Sequence, residues 1–517
     1  MPRPTSFATM LVVVLTLMVS GCTSLPETVE RVPSHAISDN DSTSLGRLVA
    51  AQAEKHPGQS GFALVKEGRW AFTARVALAN AAERTLDAQY YIWEEDGTGF
   101  RLAQTLLDAA DRGVRVRVLL DDLDVKSDEF VASLDAHPFV EIRVFNPSAN
   151  RSVKGLGFLS EFGRLNHRMH NKVMITDGAM AIVGGRNIGD HYFQVDPESN
   201  FRDLDIMAAG PVVTDISATF DYFWNGAWSF PIASLVDRTY GEDDLAAVRR
   251  RMGKAIAENP YPYSVEDDEV AVRAAFGPGL DRLTWAPGQV VADDPASLKK
   301  IKDEELATGE IMAALRTKLS TIEKTLLIES AYFVLTDESI DEARRLVDRG
   351  VRVRILTNSL VSNDVLAAHA GYEKRRKDLL ETGVELYELR PDSGMEIDQS
   401  VTGRESKAGL HTKAFMFDDS GIFVGSFNLD PRSANLNTEF GIYVESPALA
   451  ADLAGFMDDG VSARNAYRVE LDSQGDLVWI ETRADGTEIR YDKEPTSTWG
   501  QRVTADFIRL LPVESQL

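Results

Sequence analysis

The chain has 517 residues, 44% of them hydrophobic and 26% charged, with a single cysteine and a formal net charge of −25. That is ample chain for two large packed lobes, and a lone thiol excludes an internal disulfide framework. The acidic balance is the reverse of the basic footprint that grips a nucleic-acid backbone, so nucleic acid is not an expected partner unless a local basic groove is present.

In chain order, the first feature is Arg3 followed by an apolar run over 8–19, too short to span a bilayer comfortably. It leads into Val19-Ser20-Gly21-Cys22, which resembles a bacterial lipobox, and Cys22 is the only cysteine in the chain. The expectation is a removable signal segment over 1–21 and a lipid-modified Cys22. The body of the protein would then be held at a membrane outside the cytoplasm, on the periplasmic side of the cell envelope. Thr23 after the cysteine is compatible with outer-membrane sorting. Residues 22–57 are polar and read as a tether.

Residues 58–240 read as a first unit. An apolar, aromatic run over 86–93 predicts a buried strand, 102–111 has helical spacing ending at Gly113, and 114–120 alternates arginine with valine as a second strand. Strands over 173–176 and 181–183 follow, joined by a turn at Asp177-Gly178. A linker over 241–305 separates this unit from a second over 306–450, which repeats the order with strands at 326–334, 351–356, 414–417 and 422–424 and a helix over 340–347. Residues 451–517 read as a small appendage with strands at 477–482 and 488–491. Strand–helix alternation of this kind predicts an α/β fold of mixed sheets flanked by helices.

The units are copies. Asp111 to Arg117 (DRGVRVR) recurs unchanged as Asp348 to Arg354, 237 positions later. His170-Asn171-Lys172 followed by Asp177 recurs as His411-Thr412-Lys413 followed by Asp418, both reading H-x-K-x4-D, in a chain with only eight histidines. Each copy leads to a turn of small residues ending in asparagine, Gly184-Gly185-Arg186-Asn187 and Gly425-Ser426-Phe427-Asn428. A repeat of this size is a duplicated domain, since solenoid units have periods of about 20–50 residues.

Two histidines suit phosphoryl transfer. A neutral imidazole attacks phosphorus to give a phosphohistidine, and a protonated one donates to the leaving oxygen and then acts as base for the acceptor. Two lysines and two asparagines supply positive charge and N–H donors where charge builds up on the phosphate oxygens. This design requires neither metal nor cofactor, and the sequence shows no convincing metal-ligand spacing. His167 and His191 do not recur in the other half and read as local hydrogen-bonding residues. Tyr90, Tyr91, Trp93, Tyr332 and Phe333 read mostly as core, and the Asp121-Asp122 pair as a polar loop at the edge of the site.

The paired motifs resemble those of the phospholipase D superfamily over nearly the whole mature chain. Within it, the chain is similar to the cardiolipin synthase C-type branch, on the strength of Gln89-Tyr90-Tyr91-Ile92, Arg168-Met169-His170-Asn171-Lys172, Phe201-Arg202-Asp203-Leu204-Asp205, the run WAPGQVVADDP over 285–295 and LPVESQL over 511–517. The resemblance implies two repeats related by a pseudo-twofold axis around one site. It implies one histidine as nucleophile and the other as general acid and base, taken here as His170 and His411, the reverse assignment staying open. Lys172, Lys413, Asn187 and Asn428 would hold the phosphodiester, joined by the Ser426 hydroxyl as a further substrate donor. Gly185 stands where the first turn would have serine and removes that donor from the first half. An acid would orient each ring: Glu439 for the second half and Asp203, with Asp205 competing, for the first. Asp177 and Asp418 belong to the motif as catalytic residues or serve as strand-turn caps.

The expected activity is transfer of a phosphatidyl group between phospholipids to give cardiolipin, at a membrane reached through the lipid anchor. Sequence leaves the need for an accessory protein undetermined. A phospholipase D hydrolase using water, a phosphodiesterase acting on nucleic acid or another polymer, and a non-catalytic lipid-binding lipoprotein are the competing readings.

Overall fold

The computed structural model describes residues 24–26, 28–151, 154, 161–264, 270, 280–296, 309–393 and 406–509. Cys22, the segment 1–21 and the run 511–517 lie outside the described residues. The first half contributes β1 (Ser60–Val65), β2 (Thr85–Tyr90), β3 (Arg115–Asp121), β4 (Val140–Phe145), β5 (Val173–Thr176), β6 (Met180–Gly184), β7 (Ser199–Arg202), β8 (Asp205–Ala209) and β9 (Ser229–Pro231). The linker carries β10 (Thr284–Ala286) and β11 (Gly288–Ala292). The second half adds β12 (Thr325–Ser330), β13 (Arg352–Asn358), β14 (Glu385–Leu389), β15 (Lys407–Leu410), β16 (Lys413–Phe417), β17 (Gly421–Gly425) and β18 (Phe440–Glu445). The C-terminal strands are β19 (Ala466–Leu471), β20 (Leu477–Thr482) and β21 (Glu488–Tyr491).

Two mixed sheets result, ordered β10-β1-β8-β6-β5-β2-β3-β4-β9 and β11-β18-β17-β16-β12-β13-β14-β19-β20-β21. Strands β2, β3 and β4 are parallel, as are β12, β13 and β14, while β5 and β16 run antiparallel to the first strand of each triplet. The helices between parallel strands form where apolar residues recur at helical spacing. Gly97–Asp111 buries Leu102, Ala103, Leu106 and Leu107, starts on an Asp96 cap and is followed by Gly113 in the left-handed region, φ 90°. Gly350 ends the equivalent Asp337–Asp348 helix the same way, φ 86°.

Both faces of the motif strands are buried, which explains their unbroken apolar sequences. Val173, Ile175, Ala181 and Val183 of the first half share one core with Ala414, Met416, Ile422 and Val424 of the second. Their alternates, Met174 and Ile182 in one half and Phe415, Phe417 and Phe423 in the other, face their own helical layers. Each large side chain sealed in that shared core is worth about 1.5–3 kcal/mol, so the halves are joined by a core and not merely by a linker.

Two stretches differ from their sequence reading. The polar segment read as a tether carries a helix, Ser44–Ala53, capped by Thr43. Its upstream carbonyls receive buried arginines of the first sheet, Arg117 onto Ser34 at 2.8 Å and Arg143 onto Val32 at 2.7 Å. Polar composition there reflects hydrogen bonding to the body. The linker is likewise built in: Glu242–Glu258 packs on Gly97–Asp111, while β10 joins β1 at the edge of the first sheet and β11 joins β18 at the edge of the second. The appendage extends the second sheet through pairing of β19 with β14. Among the described residues no helix is long and apolar enough to cross a membrane.

Candidate active site

The two motifs meet because each half lends the other a short strand pairing. β7 runs parallel to β15, and the His411 N–H donates to the Arg202 carbonyl at 2.8 Å. In the mirrored arrangement Met169 bridges Thr438, and the His170 N–H donates to the Thr438 carbonyl at 2.9 Å. The next residue in each case is an acid. Asp203 Oδ2 lies 2.6 Å from His411 Nδ1, and Glu439 Oε2 lies 2.8 Å from His170 Nδ1. The assignment of each acid to its own half is therefore corrected: the carboxylates are exchanged, each orienting the histidine of the opposite repeat. Asp205, the competitor to Asp203, instead forms a buried cluster with Arg75 at 3.0 Å and Arg186 at 3.3 Å.

Each ring is thereby fixed through Nδ1, which leaves Nε2 for chemistry. Both imidazoles are buried, and burial followed by Lys172 and Lys413 pushes both well below the ordinary histidine range. Burial and the two lysines thus favour the neutral form of each ring, and an anion entering between them opposes that effect. Burial lifts Glu439 to about 7 against the pull of Lys172, and lifts Asp203 against Lys413. Lys413 is lowered by burial to about 8, and Lys172 falls well below its ordinary value for the same reason. Each ammonium donates to the carbonyl of its own motif histidine, Lys172 to His170 at 2.6 Å and Lys413 to His411 at 2.5 Å, which holds the cation beside the ring.

Asn187 and Asn428 sit beside the motif strands, with their side-chain oxygens accepting from Ile92 N at 3.1 Å and Tyr332 N at 3.5 Å. Asn187 also donates to the Tyr192 hydroxyl at 2.9 Å. Ser426 does not serve as the expected substrate donor. Its hydroxyl proton goes to Glu439, and its oxygen accepts from Phe440 N at 2.9 Å. At the matching Gly185, a Cβ would lie 2.1 Å from Asp203 Oδ1, so the shorter acid fits only over glycine.

Asp177 and Asp418 are not part of the reacting group, a correction to their catalytic reading. Both are in the left-handed region, φ 52° and 51°, at the far end of the motif strand. Asp177 accepts from the N–H groups of Glu83, Arg84 and Thr85, and Asp418 from those of Glu323, Lys324 and Thr325. They cap the start of β2 and β12.

Several residues of the site were missed or read as core. Tyr91 meets His170 edge-on at 4.9 Å and lies 5.2 Å from Lys172 Nζ, while Tyr332 lies 5.9 Å from Lys413 Nζ. His411 packs against Tyr192 at 5.1 Å and Phe201 at 5.2 Å, both from the first half. Asp121, read as a polar loop, accepts from Met169 N at 2.8 Å and pairs with Arg168 at 3.1 Å, fixing the residues before His170. Its repeat counterpart Asn358 accepts from Leu410 N at 2.8 Å, just before His411. That correspondence at the ends of the duplicated strands was the available signal. Asp293, in the linker, accepts from Glu439 N at 3.0 Å and from Ile311 N at 3.2 Å. His191 faces Glu94 at 3.7 Å within its own half, whereas His167, read as a local residue, reaches across to the Leu436 carbonyl of the second half at 2.7 Å.

The cardiolipin synthase, PLD-like domain family matches residues 76–224 and 315–459, two segments that each carry one copy of the motif. The chain belongs to that family. It is 40% identical over 486 residues to cardiolipin synthase C of Escherichia coli (strain K12), covering 91% of this chain and 99% of the relative. It is 25% identical to the major cardiolipin synthase ClsA of Bacillus subtilis (strain 168), covering 81% of this chain and 72% of the relative. Its fold is similar to that of phosphatidylserine synthase from Haemophilus influenzae Rd KW20, with a TM-score of 0.58 at 14% identity over 91% of this chain and 100% of that chain. Family and geometry agree on an enzyme of the phospholipase D superfamily with one site built from both repeats.

Proposed function

We propose that the protein is a phosphatidyltransferase that makes cardiolipin from phosphatidylglycerol and a second phospholipid. The observation that carries this is the crossed pair of histidine–carboxylate contacts beside two buried lysines, which leaves two Nε2 atoms to work on one phosphodiester. His170 Nε2 attacks phosphorus, the P–O bond to the departing alcohol breaks, and that oxygen takes a proton from His411. The acceptor lipid's hydroxyl then gives its proton to His411 and attacks phosphorus, and the P–N bond breaks to free His170. Lys172, Lys413 and the amide nitrogens of Asn187 and Asn428 balance the charge on the non-bridging oxygens. Phospholipids are its substrates, and lipid attached at Cys22 anchors the enzyme on the periplasmic side of the envelope, where those substrates are in reach. The 40% identity to cardiolipin synthase C of Escherichia coli supports transfer over hydrolysis.

The test is purified protein incubated with labelled phosphatidylglycerol, with and without phosphatidylethanolamine, beside His170→Ala. Cardiolipin from the wild type alone supports the reading. Phosphatidic acid alone makes the enzyme a hydrolase, and turnover of nucleic-acid phosphodiesters but no lipid moves it to the nuclease branch.

A further inference from the structure

The run WAPGQVVADDP over 285–295 belongs to neither repeat, yet one of its residues grips a catalytic group. β11 pairs antiparallel with β18 up to Ala292 and Phe440, where both strands end. The next residue beyond each end is an acid, Asp293 and Glu439, and both are buried. Asp293 N donates to the Glu439 carbonyl at 3.0 Å, and Asp293 Oδ2 accepts from Glu439 N at 3.0 Å. Asp293 therefore holds both polar groups of the Glu439 main chain, one with its own main chain and one with its carboxylate. A buried N–H just past the end of a strand has no ladder partner, and leaving it unpaired is costly.

The other carboxylate oxygen is committed as well. Asp293 Oδ1 accepts from Ile311 N at 3.2 Å, in the first turn of the helix Glu310–Thr321. Two N–H donors met by two oxygens call for a carboxylate, since an asparagine would turn its NH2 group towards one of them. Gly309, just before that helix, leaves the room: a Cβ there would lie 2.9 Å from Asp293 Oδ1 and 3.3 Å from the Ala434 carbonyl. Asp203 is supported from within its own repeat, by Leu204 N at 2.7 Å on its carboxylate and by Arg186 on its carbonyl. The linker thus holds one of the two exchanged acids and not the other.

We infer that Asp293 is a positioning residue for His170: it fixes the main chain of Glu439, and with it the carboxylate that reaches His170 Nδ1 at 2.8 Å. On the other side of Glu439, Thr438 bridges to Met169 of the first repeat. Glu439 is thus clamped between a contact to the first repeat and one to the linker, and a shift of its main chain turns the carboxylate away from the ring. Holding the ring is what such a carboxylate does, and a misplacement of about 1 Å at a reacting group costs on the order of 10²-fold in rate. The inference rests on the phosphohistidine reading above.

The test compares kcat and KM on phosphatidylglycerol, and ¹⁵N-histidine NMR spectra, for wild type, Asp293→Ala, Gly309→Ala and Val291→Ala. Asp293→Ala should lower kcat by about 10–100-fold with KM nearly unchanged, and should move the Nδ1 signal of His170 but not that of His411. Gly309→Ala pushes on the Asp293 carboxylate without removing it, and should move the same signal with a smaller fall in kcat. It carries the test should Asp293→Ala not fold. Val291 packs on the second repeat's core from the same strand, so Val291→Ala should lower thermal stability while kcat and both signals keep their wild-type values. An unmoved His170 signal in folded Asp293→Ala or Gly309→Ala, or an equal change in Val291→Ala, makes Asp293 a linker anchor and overturns the positioning role. The transferase reading then stands. Wild type that turns over no lipid overturns that reading instead, and the His170 signal still decides whether Asp293 acts on the ring.

Discussion

The two repeats bring identical reacting groups to the site on differently built supports. Behind His411, Asp203 sits tight over Gly185, its strand neighbour Asp205 is locked by Arg75 and Arg186, and the preceding Arg202 pairs with Glu329 at 3.2 Å. Behind His170, the acid is one carbon longer, Ser426 fills the place of the glycine and donates to it, and Gly441 and Phe427 stand where the first half has Asp205 and Arg186. Burial pushes the Arg75 guanidinium down, but Asp205 outweighs it and holds the cation charged. The lesson is that the chemistry fixes the His–acid contact and the lysine beside it, whereas the means of holding the acid is free to change if acid length and the small residue beneath it change together.

That comparison can be broken most severely at the rings. His170→Ala and His411→Ala are each expected to lower transfer by at least about 10⁴-fold, since groups acting as a unit fail together. Purified variants assayed on labelled phosphatidylglycerol check this, and a variant retaining a tenth of wild-type activity contradicts it.

Next come the exchanged acids. Asp203→Asn and Glu439→Gln keep shape but remove the charge that favours one tautomer, an effect of up to about 10⁴-fold in a triad enzyme. Here each should cost about 10³–10⁴-fold in kcat. ¹⁵N-histidine NMR should show Glu439→Gln moving the His170 signals and Asp203→Asn those of His411. The opposite pairing would undo the exchange.

The caps differ in exposure, so their losses should differ. Asp177 is fully buried and leaves three N–H groups unpaired when removed, and Asp177→Ala should lose about 3 kcal/mol in urea unfolding. Asp418 is partly exposed, and Asp418→Ala should lose about 1 kcal/mol because water replaces the carboxylate. Activity per folded molecule should survive in both, and a rate loss like that of the histidine variants would return these aspartates to the chemistry.

The smallest effect is in pH. With Lys413 lowered to about 8, kcat/KM should fall as pH rises through that value, by up to tenfold per unit as the cation is lost. The unfolded lysine keeps its proton to 10.5, so this group's contribution to stability rises between about 8 and 10.5, and the activity loss there is not unfolding. An alkaline limb that stays at the same pH in Lys413→Arg, whose charge persists, would remove Lys413 as its cause.

Much of this was legible because it is local. The duplicated DRGVRVR strand, the H-x-K spacing and the glycine stops predicted two α/β halves meeting at the histidines, and the strands fall within a few residues of their expected positions. The exchange was not legible, since Asp203 and Glu439 are remote in sequence from the rings they hold, and one linear pattern suits either pairing. Tyr90 and Tyr91 show the same limit. Adjacent strand residues face opposite ways, and only packing tells that Tyr90 is core while Tyr91 meets His170. Asp177 misled because its place in a motif says nothing about which end of the strand faces the site.

The most direct test of the account is to trap the covalent step. His411→Ala, mixed with a phosphatidyl donor whose leaving group is p-nitrophenol and needs no acid, should release one equivalent of nitrophenol and stall. Peptide mass mapping should then place the phosphatidyl group on His170. Full turnover without an adduct, or an adduct on any other residue, would contradict the assignment of His170 as the nucleophile of a shared site.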